Sequence, residues 1–202
     1  MHIAIVVGSH RRGSESTRVG EYVAAALHRI APAVVVDTID LAGNPLPLWD
    51  ESAWQPDGEV ARAWRPVRDR LRAADGFVVV TPEWAGTVPP GLKNLLLLAG
   101  PGEVGHKPGL IVAVSSGRGG AYPAAELRVS GTKNNRLVWI PEQVLVQDVG
   151  SMLAGDEPTG ERDAWIRSRI DFALRILLAY AAALGPVRTS GVTAHPDFPY
   201  GM

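Results

Sequence analysis

Short apolar runs alternate along the chain with longer segments of helical periodicity. The apolar runs are rich in β-branched residues, which is typical of strands buried on both faces of a parallel sheet. We predict five strands, at Ile3–Val7, Ala33–Asp37, Phe77–Thr81, Leu110–Ser115 and Val144–Gln147. The intervening segments predict helices at Thr17–Ile30, Glu59–Ala73, Pro90–Ala99, Tyr122–Val129 and Glu157–Leu184.

Strand and helix alternate five times, which predicts an α/β fold with helices on both faces of the sheet. A doubly wound, five-stranded parallel sheet most commonly has the strand order 2-1-3-4-5. The sequence contains no internal repeat and no linker, so we expect a single domain over residues 1–202. Its last part, residues 185–202, contains Pro186, Pro196 and Pro199 and is expected to be an extended, irregular tail.

Two further segments lack clear periodicity. Ala42–Gly58 is rich in proline, aspartate and tryptophan, and we interpret it as a long surface loop whose Trp49 and Trp54 cap the core. The alternative is that this loop forms a wall of a neighbouring subunit's site. Within Ser130–Leu153, the residues Lys133–Asn135 suggest a turn, and the flanking apolar residues form either the fifth strand or a hairpin.

Composition narrows the functional classes. Hydrophobic residues make up 46% and charged residues 20% of the chain, and the formal net charge is -1, so no basic field attracts nucleic acid or an anionic membrane. The absence of cysteine excludes disulfides, thiolate catalysis and cysteine-bound metals, and no metal site is predicted. The runs Ile3–Val7 and Ile176–Leu184 are too short for a signal peptide and a membrane span. We therefore expect a cytoplasmic protein.

The loop after the first strand, Gly8–Arg18, has the chemistry of an anion site. It combines two glycines, several hydroxyls and three arginines with the start of a helix, where free N–H groups and the helix dipole favour a phosphate. The alternative is a helix N-cap beside solvated arginines. The sequence lacks the P-loop and G-x-G-x-x-G patterns, so neither a nucleoside triphosphate nor the usual dinucleotide turn is expected.

Two later loops follow strands that should end at the same edge of the sheet. Thr81–Asn94 is stiffened by three prolines and offers Trp84 as a flat apolar face, which suits a planar ring. Ser115–Gly120 reads SSGRGG, so its backbone can approach a ligand closely. Each loop taken alone could also be an ordinary connection between a strand and a helix.

Together the three loops resemble those of the NADPH-dependent FMN reductase family, a flavodoxin-like group of quinone, chromate and azo-dye reductases. The resemblance covers roughly Met1–Arg128. GSHRRGSEST is similar to the family's phosphate loop, TPEWAGTVPPGLKN to its P-E-Y-N-G flavin loop, and SSGRGG to its third, glycine-rich turn. Trp84 and Ala85 stand where the family usually has tyrosine and asparagine, and the alanine loses a side-chain hydrogen bond.

The resemblance implies that FMN is bound and that NADPH or NADH reduces it. The implied contacts to the phosphate are Ser9, Arg11, Ser14, Ser16 and Thr17. The implied contacts to the ring and ribityl chain are Pro82, Glu83, Trp84, Ala85, Gly86, Thr87, Ser115, Gly117 and Arg118. No residue is assigned a catalytic role, because the flavin carries the chemistry.

The expected function is transfer of hydride from NAD(P)H through FMN to a quinone-like small-molecule acceptor, in a homodimer or homotetramer. Arg12 or Arg18 could meet the 2′-phosphate of NADPH, or both could simply face solvent. Two alternatives remain open at this stage. One is a flavodoxin-like electron carrier, and the other is a flavin-free binding or regulatory protein on the same fold.

Overall fold

A computed structural model describes residues 1–198 and contains one five-stranded parallel sheet of order β2-β1-β3-β4-β5. This confirms the predicted fold class and strand order. All four neighbouring pairs of strands are parallel, so the C-terminal ends of the strands share one edge and their N-terminal ends share the other. The strands are β1 His2–Val7, β2 Val35–Asp40, β3 Gly76–Pro82, β4 Pro108–Val114 and β5 Val138–Val146.

Helices connect successive strands and cover both faces of the sheet. They are α1 Glu15–Ile30, α2 Glu59–Ala73, α3 Pro90–Leu98, α4 Pro101–Val104, α5 Ala121–Arg128 and α6 Glu161–Thr189. The sequence did not predict the short α4. Along β1, Ile3, Ile5 and Val7 pack into the core with α1 and α6. The alternate residues Ala4 and Val6 pack against the other helices, because successive side chains of a strand point to opposite faces.

The two edge strands depart most from the prediction. β2 begins at Val35 and extends to Asp40, three residues past the predicted end, because an edge strand accommodates polar residues on its half-exposed surface. β5 begins at Val138, although Pro141 interrupts its apolar pattern. The pairing of β4 with β5 shifts register between Gly109 and Ile111, and edge strands tolerate proline at such irregularities. The parallel pairing excludes the hairpin alternative.

The extended tail expected over residues 185–202 is partly wrong. Helix α6 continues to Thr189, so Gly185 and Pro186 are helical. Pro186 lacks only one donor near the helix end, and its own carbonyl still accepts a hydrogen bond from the Ser190 N–H at 3.0 Å. Residues 190–198 form bends and turns, as expected for irregular chain, and residues 199–202 lie outside the described part of the structure.

Helix α6 also changes the expectation about membrane spans. An 18-residue window within its 29 residues has a mean hydropathy of 1.6, so by length and composition the helix is long enough to cross a bilayer. The prediction considered only the apolar run Ile176–Leu184, whereas the helix extends well beyond that run on both sides. In this fold, one face of α6 is buried in the core through Ile166, Ile170, Leu174 and Leu177.

The long loop after β2 lies on the surface as predicted, but its tryptophans do not cap the core. Trp54 is 76% exposed and packs edge-on against Trp49, with ring centroids 5.0 Å apart. Leu46 supplies the loop's buried apolar side chain instead. Asn94 on α3 anchors the loop, because it accepts a hydrogen bond from the Trp49 N–H and donates one to the Pro47 carbonyl, both at 2.8 Å.

Candidate functional site

A cavity of about 170 Å³ lies at the C-terminal edge of the sheet, where β1, β3 and β4 end. The three loops singled out in the sequence meet there, at the switch point where doubly wound proteins bind ligands. Of the predicted site residues, the lining contains Ser9, Arg11, Ser14, Ser16, Pro82, Glu83 and Trp84. It also contains Gly13, Glu15, Val114, Ser116 and Val149, which the prediction omitted.

The first loop leads into the N-terminus of α1. Ser14 is the N-cap, and its hydroxyl accepts a hydrogen bond from the Thr17 N–H at 3.2 Å. The Thr17 hydroxyl lies 3.1 Å from the Ser14 hydroxyl and donates to the Asp40 carboxylate at 3.4 Å, so Thr17 stabilises the cap and is absent from the cavity lining. The N–H groups of Glu15 and Ser16, at the start of the helix, have no intrahelical acceptors, which leaves them for a ligand.

The arginines of this loop differ in what they contact. Arg18 donates hydrogen bonds to the carbonyls of Val149 and Met152, both at 2.6 Å, and pairs with Glu15. It is therefore held within the protein rather than facing solvent or a nucleotide phosphate. Arg11 lines the cavity, and among residues 1–198 its guanidinium makes no ion pair or hydrogen bond. Of these two, Arg11 is the cation with its donors available.

The second loop contains a tight turn from Trp84 to Thr87. The N–H of each residue donates to the carbonyl of the other, at 3.2 and 2.9 Å, and the two central residues have positive φ angles, 48° at Ala85 and 73° at Gly86. This is the geometry of a two-residue hairpin turn, which favours Asn-Gly. Ala85, Gly86 and Thr87 thus shape the turn, while Trp84 faces the cavity and packs edge-on against His10 at 4.2 Å between ring centroids.

Glu83 joins the second loop to the third. Its carboxylate accepts a hydrogen bond from the N–H of Gly120, the residue before α5. A Cβ at Gly119 would collide with the Glu83 carboxylate, so a side chain there would push Glu83 away from the Gly120 N–H. The Ser115 hydroxyl accepts the N–H groups of Gly117 and Gly119 at 3.3 and 3.2 Å. Ser115 and Gly117 therefore form the turn itself, and neither they nor Arg118 line the cavity.

The residues after β5 add a fourth wall that the sequence did not reveal. Val149 lines the cavity, and Gln147 donates to the Gly119 carbonyl at 3.0 Å. Asp163, 1% exposed, accepts hydrogen bonds from the N–H groups of Leu153 at 2.8 Å and Thr159 at 3.0 Å. Burial raises the pKa of Asp163, but these hydrogen bonds and nearby Arg167 outweigh it and keep the pKa below its usual range. The carboxylate is therefore ionised and fixes this wall.

Comparison with known proteins gives a consistent picture. Residues 1–150 match the model of the family described as NADPH-dependent FMN reductase. The chain is 38% identical over 134 residues to a 2-hydroxy-1,4-benzoquinone reductase from Burkholderia sp, covering 63% of this chain and 68% of the relative. It is 30% identical over 149 residues to an NADPH azoreductase from Bacillus sp. (strain OY1-2), covering 72% and 76% of the two chains.

The solved structure of the flavoenzyme NAD(P)H:(acceptor) oxidoreductase FerB from Paracoccus denitrificans is similar to the fold, with a TM-score of 0.68 at 20% identity. The likeness covers 89% of this chain and 98% of that one. Since the family model spans most of the chain, including all three loops around the cavity, the chain belongs to the NADPH-dependent FMN reductase family and is an oxidoreductase that uses FMN and NAD(P)H.

Proposed function

We propose that this protein passes reducing equivalents from NAD(P)H through FMN to a quinone-like small molecule, and that FMN occupies the cavity at the C-terminal edge. The single observation that carries the proposal is the meeting of the three loops after β1, β3 and β4 around that cavity. The relatives named as a benzoquinone reductase and an azoreductase support a small, conjugated acceptor.

The donors of the cavity fit a phosphate. Ser9 and Ser16 are each 1% exposed and line the cavity beside the start of α1, where N–H groups and the helix dipole favour an anion. In our proposal Ser9, Ser14, Ser16 and Arg11 hold the FMN phosphate, and Thr17 acts by fixing the Ser14 hydroxyl. Arg11 adds a positive charge to these hydroxyl donors, which strengthens its hydrogen bonds to the phosphate.

The remaining walls fit a planar ring. Pro82 and Trp84 present flat, rigid surfaces, and the His10 ring packs edge-on against Trp84. Glu83 is engaged with the Gly120 N–H, so its role is to hold the second and third loops at a fixed separation. In our proposal Ala85, Gly86, Thr87, Ser115, Gly117 and Arg118 shape these loops around the cofactor.

FMN, when bound, accepts hydride from NAD(P)H and donates electrons to the acceptor. The protein's residues orient the cofactor and exclude water from one side of it. Of the residues lining the cavity, Glu15 is paired with Arg18 and Glu83 is hydrogen-bonded to the backbone. We therefore assign no residue a proton-transfer role.

The proposal is tested by a visible spectrum of the purified protein, identification of the released chromophore and an NADPH oxidation assay. We expect a flavin doublet, released FMN, and NADPH oxidation that depends on an added benzoquinone. Stopped-flow mixing with NADPH separates a reductase from an electron carrier, because only a reductase is bleached rapidly. A protein that stays colourless after dialysis against FMN would refute the assignment of the cavity.

We also propose that the protein works as a homodimer or homotetramer in the cytoplasm. Large apolar side chains are exposed on α3 and α5, and such surfaces commonly mark interfaces. They include Leu97 on α3 at 64% exposure and Tyr122 on α5 at 72%. A chain without cysteine suits a reducing compartment. Sedimentation equilibrium tests the assembly, and a monomer at micromolar concentration would contradict it.

A further inference from the structure

A second and larger cavity lies at the N-terminal edge of the sheet, at the opposite end from the three loops. Its volume is about 640 Å³, and it is formed where the chain enters β4 and β5, beside α4, the end of α6 and residues 193–198. Strands of this length place the two edges roughly 20 Å apart. Nothing in the proposed reductase function uses this cavity.

Four basic side chains line this basal cavity: Arg72, Lys107, Arg136 and Arg188. Two of them have carboxylate partners. Arg72 donates to Glu103 at 2.7 Å, and Arg188 donates to Asp75 at 3.1 Å.

The other two cations, Lys107 and Arg136, form no salt bridge within residues 1–198. Lys107 donates all three of its hydrogen bonds to the backbone carbonyls of Leu71, Arg72 and Glu103. Arg136 donates to the carbonyls of Thr193 and Phe198. Because these acceptors are neutral, the basal cavity retains an excess of positive charge.

The pKa values of two residues are lowered by burial and, in second place, by this charge. Burial, followed by the charges of Arg136 and Arg188, lowers the pKa of His106. Burial and Arg188 also lower the pKa of Lys107 to about 8, although Asp75 and Glu103 oppose the shift. Burial alone would disfavour any charge, but the contributions of Arg136 and Arg188 to these shifts come from positive charge, which favours an anion.

The geometry of His106 is independent evidence for a ligand site. Its φ angle is 55°, an uncommon value for a residue other than glycine, and its N–H donates to the Arg136 carbonyl at 2.7 Å. Its Nε2 atom is buried and has no hydrogen-bond partner among the described residues. Strained backbone and an unsatisfied buried nitrogen are both enriched at ligand sites.

We propose that the basal cavity binds a small organic anion, with a phosphate or carboxylate group against the arginines. A guanidinium matches either group through paired N–H donors. The rings of His195 and Phe198, tilted against each other with centroids 4.8 Å apart, offer an apolar wall for the body of the ligand. The volume of about 640 Å³ leaves room for a ligand larger than inorganic phosphate, such as a mononucleotide or a larger carboxylic acid.

The test uses the FMN-saturated protein, so that the C-terminal edge is occupied, and titrates AMP, adenosine, inorganic phosphate and citrate by amide NMR. We expect AMP to bind at least about tenfold more tightly than adenosine, because adenosine lacks the charge-assisted contacts. The shifted amides should be those of Gly102, Gly105 and His106. Competition by citrate would identify carboxylates as ligands too, whereas binding by AMP and phosphate alone would restrict the site to phosphates.

Two pairs of variants locate the binding. Arg72→Gln removes a cavity cation, and Arg68→Gln removes the same charge one turn earlier on α2, outside the lining. Gly102→Glu places a carboxylate near Arg72, and Gly102→Ala is its steric control, since a Cβ there lies 3.6 Å from the Arg72 guanidinium. We expect about a tenfold loss of AMP affinity for Arg72→Gln and Gly102→Glu, and less than about twofold for the controls.

NADPH oxidation by each variant confirms that it is folded and holds FMN. Equal binding of AMP and adenosine, equal loss in Arg72→Gln and Arg68→Gln, or shifts confined to the C-terminal edge would each overturn the proposal. The failure of FMN binding, by contrast, would be seen in the visible spectrum and would leave the result at the basal cavity interpretable.

Discussion

The two edges of the sheet both offer positive charge, but they are built differently. At the C-terminal edge, hydroxyls and backbone N–H groups from consecutive residues surround a cavity of about 170 Å³, and Arg11 is its uncommitted cation. At the N-terminal edge, single residues from distant segments surround about 640 Å³, and their guanidinium and ammonium groups already contact carbonyls or carboxylates. The first edge is suited to one phosphate in one place, and the second to anions of varied shape.

The two edges also differ in the contacts that keep the walls of each cavity in place. The walls at the C-terminal edge are loops joined to each other by side chains such as Glu83, Arg18 and Asp163. The walls at the N-terminal edge are helix ends, the turns before β4 and β5, and the irregular residues 193–198. Substitutions of the linking side chains should therefore disturb only the C-terminal edge, and the following predictions test this in order of expected size.

The largest effect is expected for Asp163→Asn. The carboxylate is buried and accepts hydrogen bonds from Leu153, Thr159 and Arg167, so its loss should lower the free energy of unfolding by about 2–4 kcal/mol. Urea unfolding at pH 7 measures this. The matched control is Asp171→Asn, on the same helix, whose ion pair with Arg29 is partly exposed and should contribute less than about 1 kcal/mol.

The effect of Asp163→Asn should depend on pH. The pKa of Asp163 in the folded protein is below its unfolded value of 3.8, so the unfolded state binds the proton first as the pH falls. The stabilisation is fully present above the unfolded pKa and is lost as the pH falls through the folded pKa. The difference between wild type and variant should therefore be constant near neutral pH and shrink in acid. A difference that persists unchanged at pH 2 would mean that packing, not charge, is responsible.

Arg11→Ala should weaken FMN binding by more than tenfold, because it removes a charge-assisted phosphate contact of roughly 1.5–3 kcal/mol. Quenching of flavin fluorescence on binding gives the affinity. Arg12→Ala is the matched control, since Arg12 does not line the cavity and its guanidinium lies against Gly43. Equal losses of FMN affinity in the two variants would show that the net charge of the loop, and not a direct contact from Arg11, determines binding. AMP binding at the basal cavity should not change.

Glu83→Ala should cost roughly 1–2 kcal/mol of stability, since it leaves the Gly120 N–H at the start of α5 without its acceptor. Glu83→Gln keeps an acceptor of the same shape and should cost less than half as much. Thermal unfolding of both variants in the absence of FMN measures the two costs. If both variants were as stable as wild type, the link between the second and third loops would not hold them together.

The sequence predicted the sheet order and the three loops because both depend on local patterns. Buried strands carry their own apolar signal, and the loop motifs consist of consecutive residues. Val149 and Gln147 escaped notice because their positions depend on contacts with Arg18 and Gly119, which are far away in sequence. The basal cavity escaped for the same reason. The C-terminal end of α6 was predicted at Leu184 instead of Thr189, because Pro186 was interpreted as part of an irregular tail although only the missing N–H changes the helix.

The smallest predicted effect concerns Ala85. The structure indicates that this residue affects the stability of the turn rather than contact with the flavin. The sequence suggested that alanine loses a hydrogen bond to the flavin, but the φ angle of 48° shows a strained alanine in a turn that favours Asn-Gly. Ala85→Asn should therefore raise the free energy of unfolding by about 0.5–1 kcal/mol and change FMN affinity less than about twofold. Ala85→Val, with a branched side chain at the same φ angle, is the opposite control and should destabilise the protein. Urea unfolding without FMN and flavin titration separate the two readouts. If Ala85→Asn instead tightened FMN binding about fivefold at unchanged stability, the asparagine would act on the ligand, and the turn would already be relaxed.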